Sequence, residues 1–291
     1  MHTDAEFLGL LRGDGPGRFH FTVDERLGRL DGLLYGGAAI AISIAAAEEV
    51  SDRHALWMTT QFVSTVGQGA DVSVLAEVLA PGRRTNQVRV TGTNDDGEVV
   101  FASLGATGHH RPDGLTGEFE RAPVVSPPED SDSWKGPFAN AAKAAGIELP
   151  ELSAVRANTG FQTVIEMRQA EILDHPDPGP GRMCLWVRRR DAAPITPALA
   201  AYMADMVPIS IAQAGGALVG GTSLDNTIRI GSFVDSEWIL LDLRPHLAAG
   251  DYGHGLAHVW SRAGHLMATA SQTASLFHID LTRPPWGPER S

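Results

Sequence analysis

Two stretches of this 291-residue chain constrain its fold more than any others. Residues 38–50 carry no charge before Glu48, and residues 197–213 carry only Asp205. Both are rich in alanine, and wound as helices both are apolar on every side. A helix of that kind is buried all round. It needs a concave partner that covers most of its circumference, and a strongly curved antiparallel sheet supplies one.

The segments around each helix fit that requirement. A short alternating segment, 19–23, precedes the first helix. Four strand-like segments follow it: 55–65, 71–79, 86–93 and 98–107. Asn94-Asp95-Asp96-Gly97 forms a hairpin turn between the last two. Strand-like segments 161–168 and 183–190 precede the second helix, and 226–233, 237–243, 255–261 and 266–278 follow it. Ser261-Arg262-Ala263-Gly264 stands where the first half has its hairpin turn, with Gly264 lying 167 residues after Gly97. The halves repeat in pattern, although few identities survive.

Between them, Pro112, Pro123, Pro127, Pro128 and Pro137 punctuate a segment that also holds the acidic run Glu129-Asp130-Ser131-Asp132-Ser133. It reads as a linker with a short helix over 138–145. The expected organisation is a first unit over 1–110, a linker over 111–156 and a second unit over 157–291. One curved sheet alone leaves an edge open, whereas two can pair edges. The expected fold is therefore α+β, a tandem hotdog: two curved antiparallel sheets, each wrapping a central apolar helix, joined edge to edge.

Composition excludes several functions. Thirty-five acids against 23 Lys and Arg give a net charge of −12, which argues against non-specific nucleic-acid binding. The single cysteine, Cys184, excludes an intrachain disulfide and suits a reducing compartment. The acidic start leads into no long apolar stretch, so no signal peptide is expected. Residues 196–220 have the length of a membrane span but hold Asp205 and Pro208 near the middle. A central Asp costs about 3 kcal/mol on insertion scales. A cytoplasmic protein without a membrane partner is expected, with self-association open to it.

Candidate chemistry concentrates in the second half. An unpaired carboxylate among apolar residues is costly, so Asp205 is either a base with an altered pKa or a cap on a backbone amide near a Pro208 kink. In the last strand, Gln272 shares a face with Ala268, Ala270 and Ala274, and an amide there needs a polar partner. The run from Gly220 to Asn226 is a turn whose side chains satisfy backbone groups, or else a source of a hydroxyl beside Asp205. Gly36 and Gly37 open the first helix. They either present amides to a carbonyl oxygen or simply let helix and sheet approach.

Other readings fail. There is no Gly-x-Ser-x-Gly elbow. Cys184 reads as a packed thiol. The pairs His109/His110 and His254/His258 lack ligand spacing and are expected at surface and turn positions, so no metal and no cofactor are expected. Arg188-Arg189-Arg190 reads as a solvated edge that could meet phosphates.

In order and spacing these residues resemble the type II acyl-CoA thioesterases from about Arg26 to His278. Tyr35-Gly36-Gly37 resembles that family's aromatic-Gly-Gly. Glu118-Phe119-Glu120-Arg121 before Pro123 resembles its Phe-Glu-His-Gln and proline-rich linker start, and Trp186-Val187-Arg188 its Trp-Ile-Arg strand. Tyr202-Met203-Ala204-Asp205 resembles the helix with its catalytic Asp, Ser223-Leu224-Asp225-Asn226 its Thr-Ile-Asp-His, and Ala270-Ser271-Gln272 the strand ending in its catalytic Gln.

The resemblance implies an acyl-CoA substrate and no protein nucleophile. Asp205 and Gln272, helped by the Ser223 hydroxyl, would activate water, and amides at Gly36 and Gly37 would meet the substrate. Strand parity leaves open whether Thr222 or Ser223 supplies the hydroxyl. The altered segment 225–231 keeps a non-catalytic acyl-thioester or lipid-binding protein as the alternative. A hydratase fits less well, because neither helix carries a histidine. A polyanionic coenzyme on an acidic protein calls for a local basic patch, expected at Arg188–Arg190 or Arg83-Arg84.

Overall fold

In a computed structural model describing residues 4–111, 113–136, 159–175, 179–215 and 219–278, both apolar stretches are helical and enclosed. After one N-terminal turn, α1 (Asp4–Leu8), and two short strands, β1 (Leu11–Arg12) and β2 (Arg18–Thr22), comes the first central helix, α2 (Gly36–Ser51). Its residues Gly37 to Ile44 are all buried. It ends at Asp52, which adopts the left-handed conformation at φ 51°. The strands β3 (His54–Phe62), β4 (Asp71–Ala80), β5 (Thr85–Thr93) and β6 (Val99–Gly108) then curve around it.

The chain next crosses to the second half. Residues 121–133 run over the outer face of the second sheet and end in β7 (Asp132–Ser133). Trp186 Nε1 donates to Ser126 O at 2.8 Å, and Val125 bridges to Ile172. Beneath this crossing lies a small separate core of Trp186, Trp238, Trp260 and Cys184. The expected helix over 138–145 lies outside the described residues.

Where a strand was expected over 161–168, the chain makes a 3-10 turn, Gly160–Thr163, before β8 (Ile165–Ala170). Gly160 forces this at φ +59°. Then follow β9 (Met183–Arg189), α3 (Pro197–Ala204), α4 (Val207–Ala214), β10 (Val219–Ile230), β11 (Ile239–Ala249), β12 (Tyr252–Ser261) and β13 (Leu266–His278). Strand β10 starts earlier than the segment 226–233, taking in the Gly-rich run that sequence alone reads as a turn. Pairing with β13 from Val219 onward supports that extra length.

The thirteen strands among the described residues form one antiparallel sheet in the order β1-β2-β4-β5-β6-β3-β10-β13-β12-β11-β9-β8-β7. The tandem hotdog expectation is met: each half wraps a helix, and the halves join where β3 pairs with β10. At the joint Thr59 faces Thr227, their hydroxyls 2.9 Å apart. Among the described residues no helix is long and apolar enough to cross a membrane.

The second apolar stretch is two helices, not the single one expected over 197–213. α3 starts on a Thr196 cap, whose side chain accepts from Leu199 N–H, with Pro197 in the first turn. It stops at Ala204. Pro208 has no N–H to give the Ala204 carbonyl, and its ring would collide with that carbonyl. The backbone turns at Asp205 (φ −75°, ψ 50°) and restarts at Val207.

The central helices touch almost backbone to backbone. A Cβ placed on Gly37 would lie 2.3 Å from the Tyr202 carbonyl oxygen of α3. Tyr35 and Tyr202 pack edge to face at 5.3 Å beside this contact. Gly37→Ala should therefore push the helices apart and cost about 1–3 kcal/mol despite alanine's better helix propensity. The urea unfolding midpoint measures this; an unchanged midpoint would show that the contact yields freely.

Candidate active site

The break between α3 and α4 exposes one carbonyl end and one N–H end inside the protein, and Asp205 lies between them. Asp205 is only 7% exposed. Asn226 Nδ2 donates to its Oδ1 at 3.0 Å, and Gln272 Nε2 donates to the same oxygen. The other oxygen lies against the start of α2, 2.6 Å from where a Cβ on Gly36 would stand. The Gly37 N–H also bonds this carboxylate. Tyr35 Oη donates to the Asp205 backbone carbonyl at 3.2 Å. Burial pushes the Asp205 carboxyl up to about 7, even though Asn226, Gly37, Arg29 and Gln272 all favour its charged form.

The Gln272 amide is oriented by backbone. Val207 N–H, the freed donor at the start of α4, bonds Gln272 Oε1 at 2.9 Å. A backbone N–H only donates, so the oxygen must face it and Nε2 must face Asp205. The same Nε2 lies 3.2 Å from Ser223 Oγ as its donor. Strand parity put Gln272 on the inner face, and there it lies, 2% exposed.

Thr222 and Ser223 both line the cavity, and a β-bulge turns Ser223 toward Gln272. The pairing of β10 with β13 shifts between Ser223 and Asp225, so Leu224 is an extra residue. In a regular strand, residues 223 and 226 would face opposite sides; the bulge turns both inward. Ser223 meets Gln272, and Asn226, directly opposite Gln272 in register, meets Asp205. Asn226 is the residue that sequence reasoning did not place here. Its signal was present only as an amide one strand away from Gln272.

Pairing of β3 with β10 stops at Gln61 opposite Asp225. Beyond that point a cavity of about 240 Å³ lies between Phe62, Ser64 and Thr65 on one side and Val219 to Ser223 on the other. Asp205, Gly36, Phe101 and Phe161 also line it. The five sequence candidates Asp205, Ser223, Gln272, Gly36 and Gly37 thus lie together, all but Gln272 and Gly37 on the cavity wall itself.

Other expectations change. His258 is buried in β12 opposite Asp242, not at the surface. Burial keeps its pKa below the usual value. Arg188 pairs with Glu166 and Glu237 and lies over the Trp238 ring. Arg189 is 2% exposed and pairs with Asp191. Neither is a solvated cation available to phosphates, whereas Arg190 is exposed. Cys184 is fully buried, and burial beside Asp242 drives its thiol pKa far up, as expected of an inert thiol.

Because burial raises the Asp205 pKa above its ordinary 3.8, the folded state prefers the protonated carboxyl. The stability this confers is whole below the ordinary value and is lost as pH rises through about 7. Asp205→Asn cannot ionise. Its stability relative to the natural chain should therefore rise by a few kcal/mol between about pH 4 and pH 8. Urea unfolding of both proteins across that range measures this, and a pH-independent difference would contradict it.

Comparison with known proteins agrees with this architecture. An acyl-CoA thioesterase N-terminal domain model matches residues 23–108, and an acyl-CoA thioesterase C-terminal domain model matches residues 126–276. A crystal structure of a candidate thioesterase from Novosphingobium aromaticivorans is 31% identical, covers 91% of this chain and 97% of its own, and superposes with a TM-score of 0.77. A hot dog-fold protein of unknown function from Alicyclobacillus acidocaldarius is 19% identical over 96% of this chain and 100% of its own, TM-score 0.76. An acyl-CoA thioesterase II, TesB2, from Mycobacterium marinum is 17% identical over 95% of this chain and 98% of its own, TM-score 0.72, and like the preceding one it speaks for the fold alone. No curated protein matches the chain. With both halves matched by domain models of one family, the chain belongs to the acyl-CoA thioesterase family and is a thioester hydrolase.

Proposed function

We propose that this protein hydrolyses an acyl-CoA with Asp205 as general base, Gln272 and Ser223 as water-positioning groups and Asn226 as the group that holds Asp205. The observation that carries the reading is the Gln272 amide, which links the Asp205 carboxylate to the Ser223 hydroxyl on one side of the cavity. An amide fixed by Val207 N–H cannot turn away, so a water bound among these groups would have its acceptor in Asp205. Ser223 Oγ accepts from Gln272, which leaves its own hydrogen to donate into the cavity.

Asp205 then takes a proton from water as the water oxygen bonds to the thioester carbon. The carbonyl oxygen gains the negative charge and faces the amino end of α2, where Gly36 brings a backbone amide and the positive dipole end while the Gly37 amide holds Asp205. The carbon–sulfur bond breaks, and the electron pair leaves with the sulfur as thiolate. The products are the carboxylic acid and the coenzyme thiol, with the Asp205 proton returned to the departing sulfur. A thiolate is stable enough near neutral pH that no separate strong acid is required.

The cavity is mostly apolar and below the range of about 300–1,000 Å³ common for drug-sized ligands. It exceeds the roughly 150 Å³ void that accepts a benzene ring. Its size suits a medium-length or ring-bearing acyl group better than a long fatty chain. Across a panel of acyl-CoA substrates with released thiol measured, turnover should peak at such acyl groups. No turnover on any member would refute the reading.

Asp205→Asn should lower kcat by about 100- to 10,000-fold with the fold intact by circular dichroism. Full activity in that variant would remove Asp205 from the chemistry. Because the base must be ionised, kcat/KM should rise with pH and level off above about 7. Asn226→Ala removes a hydrogen bond to the charged carboxylate, so it should move that inflection to higher pH. An unmoved inflection would mean that Asn226 does not tune the base.

A further inference from the structure

Asp205 sits at the centre of a tight turn. Met206 N–H bonds Ala204 O at 2.8 Å, and with Asp205 at φ −75° and ψ 50° this closes an inverse γ-turn. In an unbroken helix the Asp205 carbonyl would accept from Ile209 N–H, four residues on. Here Ile209 N–H goes to Met206 O at 3.1 Å instead. The turn and the start of α4 thus take up the carbonyls of Ala204 and Met206. The Asp205 carbonyl between them has no backbone donor among the described residues. A buried carbonyl in that state is costly. Tyr35 Oη fills the gap at 3.2 Å, from 170 residues away in the other half of the chain.

That hydroxyl is a fixed donor. Tyr35 stands at the N-cap position of α2, yet its side chain makes no bond to its own helix. Its backbone N–H bonds Leu27 O at 2.7 Å. Its ring stacks on Phe161 at 4.4 Å and meets Tyr202 edge to face at 5.3 Å. A Cβ on Gly37 would lie 2.5 Å from the same ring, so the start of α2 closes on it as well. Burial, and then the nearby Asp205 carboxylate, hold the phenol pKa well above its usual value. The hydroxyl therefore keeps its proton throughout the range in which Asp205 ionises.

We infer that Tyr35 is a positioning residue for the hydrolysis: its hydroxyl fixes the Asp205 backbone so that the carboxylate meets Asn226, Gln272 and Gly37 N–H together. This rests on the hydrolase reading above and deepens it, adding a group that acts through the base and not on the substrate. The three donors belong to three separate elements, β10, β13 and α2. A shift of the turn toward one of them draws the carboxylate away from the others. Among the described residues, the charged and titratable groups that face Asp205 are Tyr35 and Arg29, and Arg29 pairs with Asp31 on the cavity wall. Tyr35 is neutral, so its replacement by phenylalanine changes no charge around the base.

Tyr35→Phe keeps the ring and its stacking and removes only the hydroxyl. Its kcat should fall about tenfold with KM close to that of the natural protein and the fold intact by circular dichroism. The inflection of kcat/KM near pH 7 should move upward, because the bonds that favour the charged carboxylate loosen. A lowered kcat with the inflection in place would reduce Tyr35 to a structural part, and a loss carried by KM would make it a substrate contact; either result overturns the proposal. Full activity in Tyr35→Phe while Asp205→Asn stays impaired overturns this proposal alone and leaves the hydrolase reading intact. Full activity in Asp205→Asn removes the base itself, and this proposal with it.

Discussion

A helix without a polar face dictates the rest of this structure. From Gly37 to Ile44 α2 has no side that water can wet, so it must be enclosed, and the segments from β3 to β6 do so by curving. The second half meets the same demand with α3 and α4. Joining the halves at β3 and β10 brings the two central helices into contact, and only glycine at 37 allows the Tyr202 carbonyl so close. The amino end of α2 thereby meets the carboxyl end of α3. Asp205 puts a negative charge at the first of these and leaves its own carbonyl to Tyr35, an arrangement the helix dipoles favour.

The site itself is made of two breaks in regular structure. Pro208 interrupts the helix and frees one donor, Val207 N–H, which then fixes Gln272. Leu224 interrupts the strand and turns Ser223 and Asn226 to the same side. Without the first break, Asp205 would be a helical side chain with no adjacent free amide. Without the second, the hydroxyl and the amide would lie on opposite faces of β10. A regular helix and a regular strand carrying these same residues would not bring them together.

That explains what the sequence disclosed and what it withheld. Hydrophobic period revealed both helices and most strands, because enclosure leaves a pattern in every residue. Parity revealed Gln272, because β13 keeps its register from Ala268 onward. It could not reveal Asn226, whose direction depends on a bulge that has no residue signature of its own. Pro208 was visible, but its effect on Val207 and Gln272 depends on a strand about 65 residues away. The same holds for His258, buried because its register sets it opposite Asp242, and for Arg188, neutralised by Glu237 from another strand. Long-range register is the information a local pattern does not contain.

The two halves share a fold but divide the work. In the first half Ser43 of α2 and Thr60 on the inner face of the sheet each hydrogen-bond Ser103 at 2.8 Å. Ser43 also returns a bond to the Ala39 carbonyl. This network is neutral and closed, so it fills polar positions without directing anything into the cavity. Thr60 stands directly opposite Asn226 across the joint, and there the closed network gives way to a charged one. The carboxylate of the second half cannot be satisfied by hydroxyls alone, and it draws donors from both halves: Gly37 from one, Asn226 and Gln272 from the other. The first half also supplies Phe62 and Phe101 to the cavity wall. Neither half alone supplies all the donors that hold Asp205 next to the apolar cavity, so the tandem arrangement assembles this cluster as well as closing a sheet edge.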